Sequence, residues 1–123
     1  MPPTIGHGKI CYIEIPCADV HVSADFYAKV FGWQVRARSD GHLAFDDGVG
    51  EVSGTWVQGR PAADENGLRV SIMVDSVAET LKTIVANRGE IHTPVGADPG
   101  EITASFRDPY GNVWKVYQEP VSQ

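Results

Sequence analysis

The chain has few cysteines, few histidines, a deficit of basic residues and no long apolar run. Each shortage excludes something. No stretch approaches the ~20 consecutive apolar residues of a transmembrane helix, and the start, Met1 to Lys9, has no hydrophobic signal core. A cytoplasmic location without membrane contact is therefore expected. Ten Lys and Arg against sixteen Asp and Glu give a formal net charge of −6. The basic residues are scattered, so no nucleic-acid partner is expected, since phosphate backbones reward clustered cations. Only Cys11 and Cys17 are present. Six residues apart on an extended segment they stand roughly 20 Å from each other, too far to bridge. Two free, buried thiols are the expectation. The four histidines, at 7, 21, 42 and 92, show no chelating pair at i, i+4 on a helix or i, i+2 on a strand.

What is present suits one compact domain: 123 residues, 42% hydrophobic and 21% charged. Lys9–Pro16, "KICYIEIP", reads as a strand. In "ADVHVSADFYAKVFGW", Val20, Ala24, Tyr27, Ala28 and Phe31 share one face of a helix. Asp19 is placed to cap its start and Gly32 to end it. The pattern returns 57 residues later. Leu68–Asp75 reads as a strand, and Val77, Leu81, Ile84 and Val85 form a helical face with Ser76 as N-cap and Gly89 as stop.

Three extended runs follow each helix. After the first come "WQVRARS", "HLAFDD" and "EVSGTWVQ", divided by the hairpin signals Asp40-Gly41 and Asp47-Gly48. After the second come "EIHTPV", "ITASFRD" and "NVWKVYQ". The fold class is α+β, two βαβββ modules forming a cup-shaped mixed sheet. The first module spans residues 9–58 and the second 68–118, joined by the exposed connector "GRPAADENG", residues 59–67.

Alternation along strands sorts the side chains. Cys11, Ile13 and Ile15 are expected under the first helix, with Tyr12, Glu14 and Pro16 turned to the hollow. Val70, Ile72 and Val74 are expected under the second helix, with Arg69, Ser71 and Met73 opposite. In the last strand Trp114 and Val116 take one face, and Val113, Lys115 and Tyr117 the other. Aligning Val57-Gln58 with Tyr117-Gln118 gives Thr55 the role of Lys115. Lys115 then either snorkels to solvent or points inward, and Arg69 meets either a carboxylate such as Glu14 or a ligand. Trp56 is a further wall candidate.

The runs "IEIPCADVHVSADFYAKVFGW" and "FRDPYGNVWKVYQ" resemble the vicinal oxygen chelate superfamily, which includes glyoxalase I, extradiol dioxygenases and the bleomycin and fosfomycin resistance proteins. The similarity covers about residues 9–119. Asp19, Phe26-Tyr27, Phe31-Gly32-Trp33 and Asp108-Pro109-Tyr110-Gly111-Asn112 carry it. The resemblance implies paired βαβββ modules, commonly a homodimer, and in catalytic members a divalent metal held by His, Gln or Glu at four inward positions. Those positions fall here on Tyr12, Thr55, Arg69 and Lys115. None is a usual ligand and two are cations, so no metal cofactor is expected.

The functional expectation is a small-molecule binding protein. Its ligand-binding residues would be Tyr12, Glu14, Thr55, Arg69, Lys115 and Tyr117, and its ligand anionic or aromatic. The alternative is an enzyme of glyoxalase, isomerase or dioxygenase type. It would be either metal-independent, with Lys115, Glu14 and Tyr12 as catalytic candidates, or dependent on a metal at shifted ligands.

Overall fold

The structure, a computed structural model, describes residues 2–120. They divide into two compact units between Pro61 and Ala62. In the first, strand β1 (Tyr12–Cys17) leads to helix α1 (Val20–Phe31) and then to β2 (Gln34–Ala37), β3 (Leu43–Asp46) and β4 (Ser53–Gln58). In the second, β5 (Ser71–Met73) leads to α2 (Val77–Ala86), β6 (Glu90–Thr93), β7 (Ile102–Arg107) and β8 (Val113–Gln118). Each unit is a four-stranded sheet, ordered β1-β4-β3-β2 and β5-β8-β7-β6. The first and last strands of each unit pair in parallel, and the others antiparallel. The expected α+β class and the two βαβββ modules are thus observed.

The helices begin where the caps say they should. The Asp19 carboxylate accepts from the backbone of His21 and Val22, and the Ser76 hydroxyl accepts from Glu79 N. Both satisfy donors that the first helical turn leaves free. Gly32 ends α1 in the left-handed region, φ 70°, its N–H donating to the Ala28 carbonyl. Helix α2 ends differently from the expectation. It stops at Ala86, Gly89 N donates back to Ile84 O, and the left-handed residue is Arg88, φ 77°. The chain reverses one residue before the glycine placed to allow it.

Each helix covers one face of its sheet. Under α1 the aromatic rings stack in sequence: Tyr27 on Trp33 (4.7 Å between centroids), Trp33 on Phe45 (4.5 Å), and Phe45 beside Trp56 (5.0 Å). Trp56 is therefore a core residue on the helix side and does not line the open face as expected. Phe26, omitted from the apolar stripe, is buried as well. The second core mixes aliphatic and aromatic side chains: Val77, Leu81, Ile84 and Val116 with Phe106 and Trp114. Val85 is exposed, although it was placed on the apolar face of α2. Gly54 lies in β4 where its neighbours leave no room. An added Cβ would meet the Ile13 carbonyl oxygen at 2.1 Å and Phe45 Cζ at 2.3 Å.

Strand ends differ from the pattern reading. β1 begins at Tyr12, not Lys9, and runs through Pro16 to Cys17. Cys17 is buried but Cys11 is exposed, so only one thiol is in the core; neither is in a disulfide. β5 is only three residues long, and Leu68 and Val70 are 92% and 41% exposed, so Val70 does not pack under the helix. Apolar, β-branched sequence marked these residues as strand; Val70 still accepts from Lys115 N at 2.9 Å, but the regular pairing with β8 starts only at Ser71. His42 falls in the turn before β3 and not in the strand itself.

Two substitutions test these local constraints. Gly54→Ala should lower stability by about 2–3 kcal/mol, the cost of overpacking against fixed backbone, read by chemical denaturation. Arg88→Gly should raise stability by about 1 kcal/mol by removing a left-handed non-glycine residue, seen as a higher Tm with secondary structure unchanged.

Candidate functional site

The loop between β7 and β8 sets the geometry of the second module. One oxygen of Asp108 accepts from the backbone N–H groups of Tyr110, Gly111 and Asn112, each at 3.0 Å. The other accepts from Asn112 Nδ2 at 2.8 Å. Asp108 and Asn112 are both buried, and Gly111 supplies the positive φ of 103° that closes the turn. Asn112 Oδ1 in turn accepts from Ala63 N, and Val113 N donates to Ala63 O. The exposed connector is thus hydrogen-bonded into the second unit from Ala63 onward.

This turn pairs Arg107 with Val113, which puts Ser105 opposite Lys115. The row continues in both directions, because Lys115 pairs with Ser71 on β5 and Ser105 with Thr93 on β6. A register shift between Ile91 and Thr93 makes the last pairing. Without that one-residue bulge Thr93 would turn to the other face. The row Ser71–Lys115–Ser105–Thr93 crosses all four strands on the face away from α2. The matching row of the first module is Glu14–Thr55–Ala44–Arg36. Thr55 and Lys115 do occupy equivalent positions, as do Glu14 and Ser71.

A cleft of about 200 Å³ opens on the second row, lined by Arg69, Thr93, Asp98, Thr103, Ser105 and Lys115 with Ala97 and Ala104. Lys115 Nζ donates to Asp98 Oδ2 at 2.7 Å, and the Thr103 hydroxyl donates to the same oxygen. Lys115's hydrogen bond, then Thr103's, holds the Asp98 carboxyl below the usual carboxylate range against partial desolvation. Arg69 donates from one terminal nitrogen to the Glu65 carbonyl at 3.2 Å, and the Glu65 carboxylate lies 3.1 Å from His92 Nε2. Two polar atoms of the cleft residues have no partner. Arg69 Nε is buried without an acceptor, and Ser105 Oγ, on a residue only 2% exposed, has neither donor nor acceptor.

Of the residues singled out from sequence, Arg69 and Lys115 line this one cleft. Tyr117 shares the face, two residues along β8, with its hydroxyl donating to Glu119 at 3.3 Å. Desolvation, reinforced by Glu119, raises its pKa. Tyr12, Glu14 and Thr55 belong to the first module. There Arg38 donates to the Tyr12 hydroxyl at 3.5 Å, Arg60 lies 2.9 Å from Glu14, and the buried Thr55 hydroxyl donates to Leu43 O at 2.7 Å. Arg36 donates to Asp46 at 3.0 Å and, with Ser53, holds its carboxyl low. Ser105, Thr103 and Asp98 were not singled out. The first two were open to the alternation argument, since "TASF" sets two hydroxyls against Ala104 and Phe106. Asp98, on the "GADPGE" loop, left no periodic signal.

Among the described residues no group of three or more His, Cys, Asp or Glu side chains is placed to hold a metal ion, and no helix is long and apolar enough to cross a membrane. Similar folds are found among solved structures. The hypothetical protein SA1046 from S. aureus aligns with TM-score 0.74 at 14% identity, over 91% of this chain and 94% of that one. A glyoxalase-related enzyme from Fulvimarina pelagi gives 0.72 at 22% identity, over 93% and 90%. TnmS3, an antibiotic binding protein from Streptomyces sp. CB03234, gives 0.71 at 20% identity, over 95% and 100%. A search of curated proteins gives no match. The sequence model of the Glyoxalase/Bleomycin resistance protein/Dioxygenase superfamily matches residues 9–116, nearly the whole of both modules, and the chain belongs to that superfamily.

Proposed function

We propose that this chain is a binding member of its superfamily that holds a small acceptor-bearing molecule, anionic or aromatic, through Arg69, Ser105 and Lys115, without a resident metal. The observation that carries the reading is the pair of unpartnered polar atoms in the cleft, Arg69 Nε and Ser105 Oγ. Leaving a buried donor unmade costs about 1–3 kcal/mol, so such atoms mark where an outside partner completes the structure. Arginine Nε can only donate, which makes the missing partner an acceptor. The description of TnmS3 as an antibiotic binding protein supports a binding role on this fold.

The donor set at the four inward positions implied by the resemblance does not fit a divalent cation. Tyr12 offers a phenol, Thr55 a hydroxyl already committed to a carbonyl, Arg69 a guanidinium and Lys115 an ammonium paired with Asp98. Metal ligands are deprotonated donors, and two neighbouring cations oppose the charge. The reading does not depend on the homodimeric state expected from the resemblance.

Native mass spectrometry and a thermal-shift panel of carboxylates and aromatic acids test it. A ligand should raise the Tm and be recovered chemically unchanged. Arg69→Met should weaken that ligand roughly tenfold or more, the worth of a charged hydrogen bond. Ser105→Ala should weaken it too, while leaving the ligand-free protein as stable as before, because the hydroxyl it removes has no protein partner. Conversion of the ligand to product would overturn the binding reading in favour of an enzyme. A clear loss of ligand-free stability in Ser105→Ala would show that the hydroxyl is structural.

A further inference from the structure

The cleft's donors are unequally served. Lys115 and Thr103 both donate to one oxygen of Asp98, whereas Arg69 Nε and Ser105 Oγ, in the same lining, have nothing. Asp98 is not part of the sheet. It comes from the loop between β6 and β7, where its own carbonyl accepts from Glu101 N at 3.2 Å and its neighbour Ala97 also lines the cleft. A carboxylate delivered from a loop therefore sits among the donors of the cleft, and it satisfies only half of them.

The size of the space agrees. About 200 Å³ is below the ~300–1,000 Å³ of ordinary small-molecule sites. With Asp98 in place there is room for a headgroup and little else. The Lys115–Asp98 pair is also easy to exchange. Its side chains are 30% and 37% exposed, and partly exposed pairs of this kind contribute little. An incoming carboxylate can take over the Lys115 and Thr103 donors and add those of Arg69 and Ser105, which Asp98 does not reach. Charge balance does not oppose the exchange, because one carboxylate replaces another. With Asp98 in place the lining holds two cations and one anion, Arg69 and Lys115 against Asp98; with Asp98 withdrawn, both cations face the ligand.

We infer that Asp98 is a built-in occupant of the cleft, a loop carboxylate that holds Lys115 and Thr103 until a carboxylate-bearing ligand displaces it. This rests on the binding reading and adds to it a ligand class and a competing group within the chain. Asp98 works as an internal competitor: apparent affinity is scaled down to the fraction of molecules in which it is withdrawn. It also selects against weak acceptors, since a neutral amide gains Arg69 and Ser105 but cannot replace the negative charge on Lys115.

Benzoate and its neutral analogue benzamide are suitable probes, followed by amide chemical shifts of the full chain. Wild-type protein should bind benzoate in preference to benzamide, with signals of residues 95–101 shifting along with those of Ser105 and Lys115. Asp98→Ala should bind benzoate roughly fivefold more tightly than wild type, the scale of one exposed ion pair removed from competition. Asp98→Asn, which keeps the shape and loses the charge, should fall between the two. The gain should vanish when Lys115→Met is added to Asp98→Ala. Benzoate binding that depends on Arg69 but is unchanged or weaker in Asp98→Ala would overturn the inference and leave the binding reading standing. An equal lack of response by wild type, Asp98→Ala and Arg69→Met to both probes would overturn both.

Discussion

The site rests on one turn. Asp108 binds three consecutive backbone N–H groups and the Asn112 side chain, and Asn112 reaches across to Ala63. This fixes the five-residue connection between β7 and β8, and with it the pairing of Arg107 with Val113. Everything on the polar row follows by alternation. A slip of one residue would turn Lys115 under α2 and bring Trp114 to the open face. The buried carboxylate is tolerable because its hydrogen bonds are made within the turn itself. The most recognisable stretch of the sequence is thus the register lock of the cleft and supplies no group to it.

The two modules repeat a backbone and diverge in chemistry. Equivalent rows carry Glu14, Thr55, Ala44 and Arg36 in one, Ser71, Lys115, Ser105 and Thr93 in the other. In the first, charges find partners close by: Arg60 for Glu14, Asp46 for Arg36, and a carbonyl for the Thr55 hydroxyl. In the second, the partners are incomplete. Arg69 stands where Tyr12 stands in the first module, is held by a single carbonyl contact, and keeps a buried donor idle. The continuous aromatic stack belongs to the first module, whereas the second core mixes Phe106 and Trp114 with aliphatic side chains.

Much of this was legible from the residues. Period-3.6 and period-2 patterns marked both helices and all eight strands, and the N-caps Asp19 and Ser76 fall where short polar side chains precede apolar stripes. The 57-residue offset correctly matched Glu14 with Ser71, and the last-strand alignment matched Thr55 with Lys115. The failures have physical causes. β5 was read as long because Leu68 and Val70 are apolar, but both are exposed and gain no burial from continuing the ladder. Cys11 was read as buried by extending alternation past the end of β1. Trp56 was assigned by residue type, while its place in β4 turns it to the helix side with Ile13 and Ile15. Gly89 was chosen as the stop of α2 for its conformational freedom, yet the chain spends Arg88 on that turn.

The site was legible to the extent that strands supply it. Arg69 and Lys115 came from alternation, and Thr103 and Ser105 were available to the same argument. Asp98 was not, because loop residues have no period and their position depends on where the loop closes. That division bears on how this fold diversifies. The strands fix a row of donors with a spacing the sheet enforces, and the loop between β6 and β7 determines which of them is already taken. Changing one loop residue alters the charge and room of the cleft without disturbing any pairing that holds the module together.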